Sequence, residues 1–289
     1  MEEGMQPGKV SIGEAVSWVG GGWKIFRASP GAWLLIGLVD LLISSAIQFV
    51  PFIGLFLTFL VAPLFTAGVM YAAREVETGR EIRLDYLFQG FREPGRLGPL
   101  IGLGGIYIGS LMAIVVLCAL ALVMSGATAG LALDAIGPRG LPRQQALYIL
   151  LVVLVAIALF IPVLMALYYA TPLVMFDRMP VWSALGSSFK ACLRNFLPLL
   201  VFGLVLFVLL LVLALIFVAV IGLFVAFFVT SGVSAGETTA GVVVAVILGM
   251  LLLYVLSIPL IPILTGMNFC SYRSVYKDHR KDSATGMAG

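Results

Sequence analysis

The strongest constraint on this chain is six apolar stretches, running from about residue 31 to 50, 52 to 73, 97 to 124, 146 to 175, 196 to 230 and 239 to 269. A bilayer core about 30 Å thick is crossed by about 20 apolar residues in a helix. Backbone groups have no water to bond to in hydrocarbon, so a chain with such runs crosses as helices. No Lys or Arg falls inside any of the six, and Asp40 is their one ionisable carboxylate. Composition then excludes a soluble domain: 62% of residues are hydrophobic and 11% charged, against about 25% charged in soluble proteins. The last two runs exceed thirty residues, which implies tilt or extension beyond the lipid. Pro162, Pro172, Pro259 and Pro262 interrupt the backbone ladder within spans.

The 17 basic residues partition unevenly. Fifteen fall in the N-terminal arm, the loops after spans two and four, and the tail, while Arg139 and Arg143 occupy the other side. By the positive-inside rule this predicts both termini in the cytoplasm. The net charge of +3 gives no support to a nucleic-acid partner. Cys118, Cys192 and Cys270 lie far apart, in no metal-ligand or disulfide pattern.

A short segment with helical periodicity precedes each odd-numbered span. The first opens on a capping box, Ser11 with Glu14, and sets Ile12, Ala15, Val16, Val19, Trp23 and Phe26 beside Lys24 and Arg27. The second opens at Asp85 and presents Leu87, Phe88 and Phe91. The third starts near Pro180 and sets Trp182, Leu185, Phe189 and Cys192 against Ser183, Ser187, Lys190 and Arg194. Aromatic and basic flanks suit helices lying among lipid head groups, and they mark Trp23, Lys24, Arg27, Trp182, Lys190 and Arg194 as lipid-interface residues.

The pairs Trp23-Lys24, Phe91-Arg92 and Phe189-Lys190 align, as do Gly37-Leu-Val with Gly203-Leu-Val and Gly104 with Gly203. Pro63-Leu-Phe-Thr and Arg74 recur as Pro262-Ile-Leu-Thr and Arg273 at the same eleven-residue separation. The expected fold is therefore an all-α polytopic membrane helix bundle: six transmembrane helices with three amphipathic interfacial helices in tandem helix-span-span repeats. These form one integral membrane domain over residues 1–289, with units at about 11–78, 84–175 and 180–276 and a polar cytoplasmic tail at 277–289. Units containing two spans each share one orientation, related about an axis along the membrane normal, unlike the inverted repeats of many transporters.

Chemistry has few candidates. An acid at mid-span is costly and a functional candidate by default, so Asp40 is read with Asn268 as an intramembrane polar site. The competing reading has the neutral acid bonded to Ser44, Ser45 or Asn268. Gly98, Gly102, Gly105 and Gly109 share a face of the third span and read as a helix-packing stripe. Gly20, Gly21 and Gly22 weaken the first short helix unless close packing or a hinge compensates. Tyr168 and Tyr169 read as span packing, with hydroxyls bonded to backbone that Pro172 opens. Glu75, Glu77, Glu81, Asp85 and Glu93, interleaved with Arg74, Arg80, Arg83 and Arg92, read as a solvated ion-paired face. His279 stands alone in the tail, so no histidine metal site or dyad is expected. The loops from Ser125 to Gln145 and Ser231 to Gly241 read as flexible connections.

The residues Trp18-Val-Gly-Gly-Gly-Trp23, Phe26, Pro30 and Trp33, then Pro63-Leu-Phe-Thr-Ala-Gly68, Gly79 and Leu87-Phe-Gln-Gly-Phe91 carry a likeness. Through them the chain resembles an uncharacterised family of bacterial, mainly proteobacterial, six-span inner-membrane proteins. That family is similar in layout to the membrane domain of some glycerophosphodiester phosphodiesterases. The resemblance implies an inner-membrane location and brings no catalytic residues; the phosphodiesterase barrel has no counterpart in the sequence. The expected function is a non-enzymatic accessory or scaffold protein, without cofactor or metal, that contacts anionic lipid and a membrane partner or a second copy of itself. The alternative is a transporter or lipid-handling protein with its polar site at Asp40.

Overall fold

The computed structural model describes residues 7–51, 53–124, 143–230 and 235–278, and every regular element among them is helical. The stretches 125–142 and 231–234, which include Arg139, and the tail from His279 onward lie outside the described residues. In chain order the elements are α1 (Ile12–Ala28), α2 (Pro30–Gln48), α3 (Gly54–Glu77), a 3₁₀ turn (Leu84–Phe88), α4 (Gln89–Arg92) and α5 (Leu97–Met124). Then come α6 (Arg143–Tyr168), α7 (Ala170–Phe176), α8 (Val181–Arg194), α9 (Phe196–Thr230) and α10 (Ala235–Arg273). Among the described residues six stretches are long and apolar enough to cross a membrane: α2, α3, α5, α6 with α7, and the greater parts of α9 and α10. The protein is a multi-pass helical membrane protein.

Two sequence expectations need adjustment. The second short segment is a 3₁₀ turn followed by one α-turn, not an amphipathic helix, because Pro94-Gly95 ends it and Gly95 takes a left-handed φ of 74°. The fourth span is two helices broken at Tyr169, because the ring of Pro172 displaces the backbone ladder at Tyr168. The chain groups into two compact units, each described in turn.

One unit comprises Gly8–Ile43, Val69–Leu87 and Asn195–Gly289. The capping box forms: the Glu14 amide donates to Ser11 Oγ (3.2 Å) and the Ser11 amide to Glu14 Oε2 (2.6 Å). Between α9 and α10, α1 buries Ala15, Trp18, Gly22, Ile25 and Phe26, with Trp18 edge-on to Phe202 (5.2 Å between ring centroids). The buried Trp33 indole N–H donates to the Ile25 carbonyl (2.9 Å), fixing the turn from α1 into α2. At the start of α9 the buried Asn195 clamps the N-terminal arm: its Oδ1 accepts from the Val10 amide and its Nδ2 donates to the Gly8 carbonyl, both 2.9 Å.

The other unit comprises Met1–Pro7, Ser44–Gly68 and Phe88–Arg194. Here α5, α6, α7 and α8 pack together, and Tyr107 of α5 lies between the rings of Phe59 and Phe160 (5.2 and 6.2 Å). Arg96 Nη1 donates to the Val174 carbonyl (3.2 Å).

Equivalent positions make equivalent contacts inside these units. A Cβ on Gly22 would overlap the Ile263 carbonyl, and one on Gly90 would overlap the Leu64 carbonyl; Ile263 follows Pro262 and Leu64 follows Pro63. Likewise a Cβ on Gly37 would strike the carbonyl of Ile258, four residues before Pro262. A Cβ on Gly104 would strike the carbonyls of Leu60 and of Phe59, four residues before Pro63. Proline carries no N–H for the carbonyl four residues back, so Gly37 and Gly104 approach backbone whose ladder bond is missing. Gly203, aligned with both, has nothing within 4 Å of its Cβ position.

Candidate functional site

At about 100° per residue, α1 presents three sectors. Ala15, Trp18, Gly22, Ile25 and Phe26 face protein. Ile12, Val16 and Trp23 form a bare apolar strip, with Trp23 49% exposed. Arg27 and Lys24 follow, both exposed. This corrects the sequence reading of one apolar face: Ala15 and Phe26 belong to the buried sector, while Ile12, Val16 and Trp23 stay uncovered.

The same three sectors occur on α8. Ala184, Leu185, Ser188, Ala191 and Cys192 are buried, Trp182 (76% exposed) and Leu193 form the bare strip, and Lys190, Ser183 and Arg194 form the polar one. Viewed from the N-terminus and turned in one direction, both helices give the order buried, bare apolar, basic. Arg194 is also engaged structurally, donating from Nη1 to the Pro7 carbonyl (2.9 Å).

Each aromatic-basic pair follows a small residue that docks on a long helix: Gly22 and Gly90 as above, and Ser188 before Phe189-Lys190. The Ser188 hydroxyl donates to the Met165 carbonyl (2.7 Å) and accepts from the Tyr169 amide (2.9 Å). It stands in the backbone gap between α6 and α7, bridging partners that a continuous helix would join directly. Cys192 Sγ donates to the same Met165 carbonyl (3.4 Å). Burial pushes its thiol up to about 12, with the Ser188 hydrogen bond acting the other way. The gap beside Tyr168 and Tyr169 is thus bridged by Ser188; only the clue that hydroxyl and proline coincide across elements could have found it, and sequence spacing does not carry that clue.

The polar pair expected inside the membrane does not assemble. Asp40 lies on the protein-facing stripe of α2 with Trp33, Ile36 and Gly37, opposite the exposed Leu34, Leu35, Leu38 and Leu42. The contact of Gly37 with Ile258 and the hydrogen bond from Tyr254 to the Leu41 carbonyl (3.3 Å) make α2 and α10 antiparallel, placing Asp40 level with about residue 255. Asn268 is thirteen residues further along α10, about 20 Å at 1.5 Å per residue. Among the described residues Asp40 makes no hydrogen bond or ion pair, so neither Ser44, Ser45 nor Asn268 satisfies it.

The glycine stripe of α5 meets little of this chain. No atom lies within 4 Å of a Cβ at Gly98, Gly105 or Gly109, and at Gly102 only Val181 Cγ2 approaches, at 3.8 Å. The close-packed glycine is Gly104, rotated off the stripe, because that face meets the Phe59 and Leu60 carbonyls.

The charged cluster after α3 is ion-paired as read, but Glu75 is buried rather than solvated (3% exposed), receiving Arg80 (2.6 Å) and Arg74 (3.4 Å). The hydrogen bond and charge of Glu75 raise the pKa of Arg80 above its ordinary value. Glu77 pairs with Arg273 (2.6 Å) and Glu93 with Arg178 (3.3 Å). Among the described residues no group of His, Cys, Asp and Glu could hold a metal ion.

The chain is 31% identical over 210 residues to a probable inner membrane protein of Burkholderia thailandensis, an alignment covering 70% of this chain and 76% of that protein. No family model matches the chain. No solved structure matches it either.

Proposed function

This chain belongs to the family of inner-membrane proteins that includes the Burkholderia protein, and we propose that it serves there as a non-enzymatic scaffold. Its in-plane helices hold anionic lipid head groups at the cytoplasmic face, and its outer surfaces receive a membrane partner. The observation that carries this reading is the shared order of buried, bare apolar and basic sectors round α1 and α8. A helix lying in the interface meets protein on one side, acyl chains below and head groups above, and each sector answers one of these. The 15 to 2 partition of basic residues supports cytoplasmic termini and, with them, both helices on the side of the anionic leaflet. The succession of a short segment and two spans, three times along the chain, supports tandem repeats and the likeness in layout to the membrane domain of glycerophosphodiester phosphodiesterases.

The test is lipid enrichment. Protein reconstituted in mixed phosphatidylcholine and phosphatidylglycerol nanodiscs should retain phosphatidylglycerol above its bulk fraction on extraction. Replacing Lys24, Arg27 and Lys190 by Gln should abolish that enrichment, each charge being worth about 1 kcal/mol near such a surface. Arg194 is left intact because it holds Pro7. Equal retention of both lipids by the unaltered protein would overturn the reading.

A further inference from the structure

We infer that Asp40 and the carbonyls of Val255 and Ile258 form an intramembrane site for one monovalent cation, a proton or a sodium ion. Pro259 and Pro262 lie inside α10, and each removes the N–H that would close on the carbonyl four residues earlier. Those carbonyls belong to Val255 and Ile258, and no side chain among the described residues donates to either. Gly37 rests against the Ile258 carbonyl, and Asp40 is one helical turn further along the same face of α2, at the level of Val255. The bare backbone at Gly37 lets α2 come this close. A carboxylate beside backbone carbonyls that have lost their ladder donor is a donor set suited to sodium or a proton within a membrane.

The rest of the neighbourhood leaves Asp40 without a competing charge. The sequence of α10 has no charged residue between Glu237 and Arg273, and its polar side chains at this level are Tyr254, whose hydroxyl donates to the Leu41 carbonyl, and Ser257, whose hydroxyl donates to the Tyr254 carbonyl (2.6 Å). On α1, Lys24 and Arg27 are exposed and precede Pro30, about 15 Å of helix before Asp40. Nor does the register call for an acid. Aligning Gly37, Gly104 and Gly203 places Asp40 with Tyr107 and Leu206.

The site is independent of the lipid reading and is tested on the full chain in nanodiscs. Infrared difference spectra would follow the Asp40 carboxyl band, assigned by its loss in Asp40→Asn, during titration with acid and, separately, with sodium chloride against choline chloride. A band removed by sodium at fixed pH identifies a sodium site; a band that titrates with pH and ignores sodium identifies a proton site. Pro262→Ala, which restores a donor to the Ile258 carbonyl and leaves Asp40 in place, should weaken the sodium response or shift the titration. Its folding is checked by thermal unfolding. A carboxyl band that responds to neither titration, or a response unaltered in a folded Pro262→Ala protein, would overturn the proposal.

Discussion

Gly20, Gly21 and Gly22 are consecutive in α1, yet alanine should act differently at each. A Cβ on Gly20 has nothing within 4 Å, so Gly20→Ala gains the helix propensity alone, about 1 kcal/mol. A Cβ on Gly21 would lie 2.8 Å from Cys270 Sγ, the end of a side chain that can turn, so the same gain is roughly offset. A Cβ on Gly22 would lie 2.8 Å from both the Ile263 carbonyl and the Met267 amide nitrogen. These are backbone atoms of α10 and can move only if the helices part.

Overpacking of this kind costs about 1–3 kcal/mol, with backbone clashes at the upper end. Less the propensity gain, Gly22→Ala should lose about 2 kcal/mol, and the spread between the two ends of the triplet should be about 3 kcal/mol. That is on the order of a hundredfold in the folding equilibrium. Equilibrium unfolding in detergent micelles, followed by tryptophan fluorescence, measures it, since Trp18 is buried and Trp23 exposed on the same helix. If Gly22→Ala is as stable as Gly20→Ala, α1 is not held against α10 by this contact, and the account of why the helix tolerates three glycines fails.

Ser188→Ala removes the hydroxyl that accepts from the Tyr169 amide, whereas the Met165 carbonyl keeps Cys192; the expected loss is about 1–3 kcal/mol, read from the same unfolding curves, and a neutral result would mean that the gap closes by itself. Cys192 has its folded pKa raised from 9.0 to about 12, so it favours the fold below pH 9.0 and that contribution is lost as pH rises through the window from 9.0 to about 12. At mildly alkaline pH its native thiolate is on the order of a thousandfold scarcer than in the unfolded chain, so alkylation followed by mass spectrometry should label it only after unfolding; equal rates in both states refute this. Asp40→Leu should stabilise the fold by up to about 3 kcal/mol, the cost of a mid-membrane acid on insertion scales, while abolishing the carboxyl response; a destabilised variant would make the acid structural.

The spans, the capping box and the positions of the short segments were legible because each rests on a local pattern: apolar length, a Ser-x-x-Glu spacing, a change of period. What a helix face meets was not legible. Ile12 and Trp23 share the apolar period of α1 with Ala15 and Phe26, yet two are bare and two are buried, because in a bilayer an apolar side chain is equally at home against lipid or protein. The glycines of α5 illustrate the same limit. A run spaced by three and four marks one helix face, but whether a partner lies there depends on which carbonyl a neighbouring helix brings up, and that selected Gly104 instead. Asn195 escaped notice because a lone amide at a helix start has no spacing to betray it; its partners, Gly8 and Val10, are distant in sequence.

Proline gives these observations a common cause. In α3 and α10 it sits at matched positions, Pro63 and Pro262, strips the donor from one carbonyl, and in both cases a glycine of another helix lies against that carbonyl, Gly104 and Gly37. The pairing explains why these two glycines are needed. It leaves the next turn of the helix unexplained, since beyond Gly104 the chain places Tyr107 among aromatic rings, and beyond Gly37 it places Asp40. Packing selects a large side chain in the first case. In the second it cannot be what selects a carboxyl group, because a leucine or tyrosine fills such a register without the cost of bringing an acid into hydrocarbon. The proposed cation site gives Asp40 its reason, since there its charge or its proton meets the released carbonyls of α10.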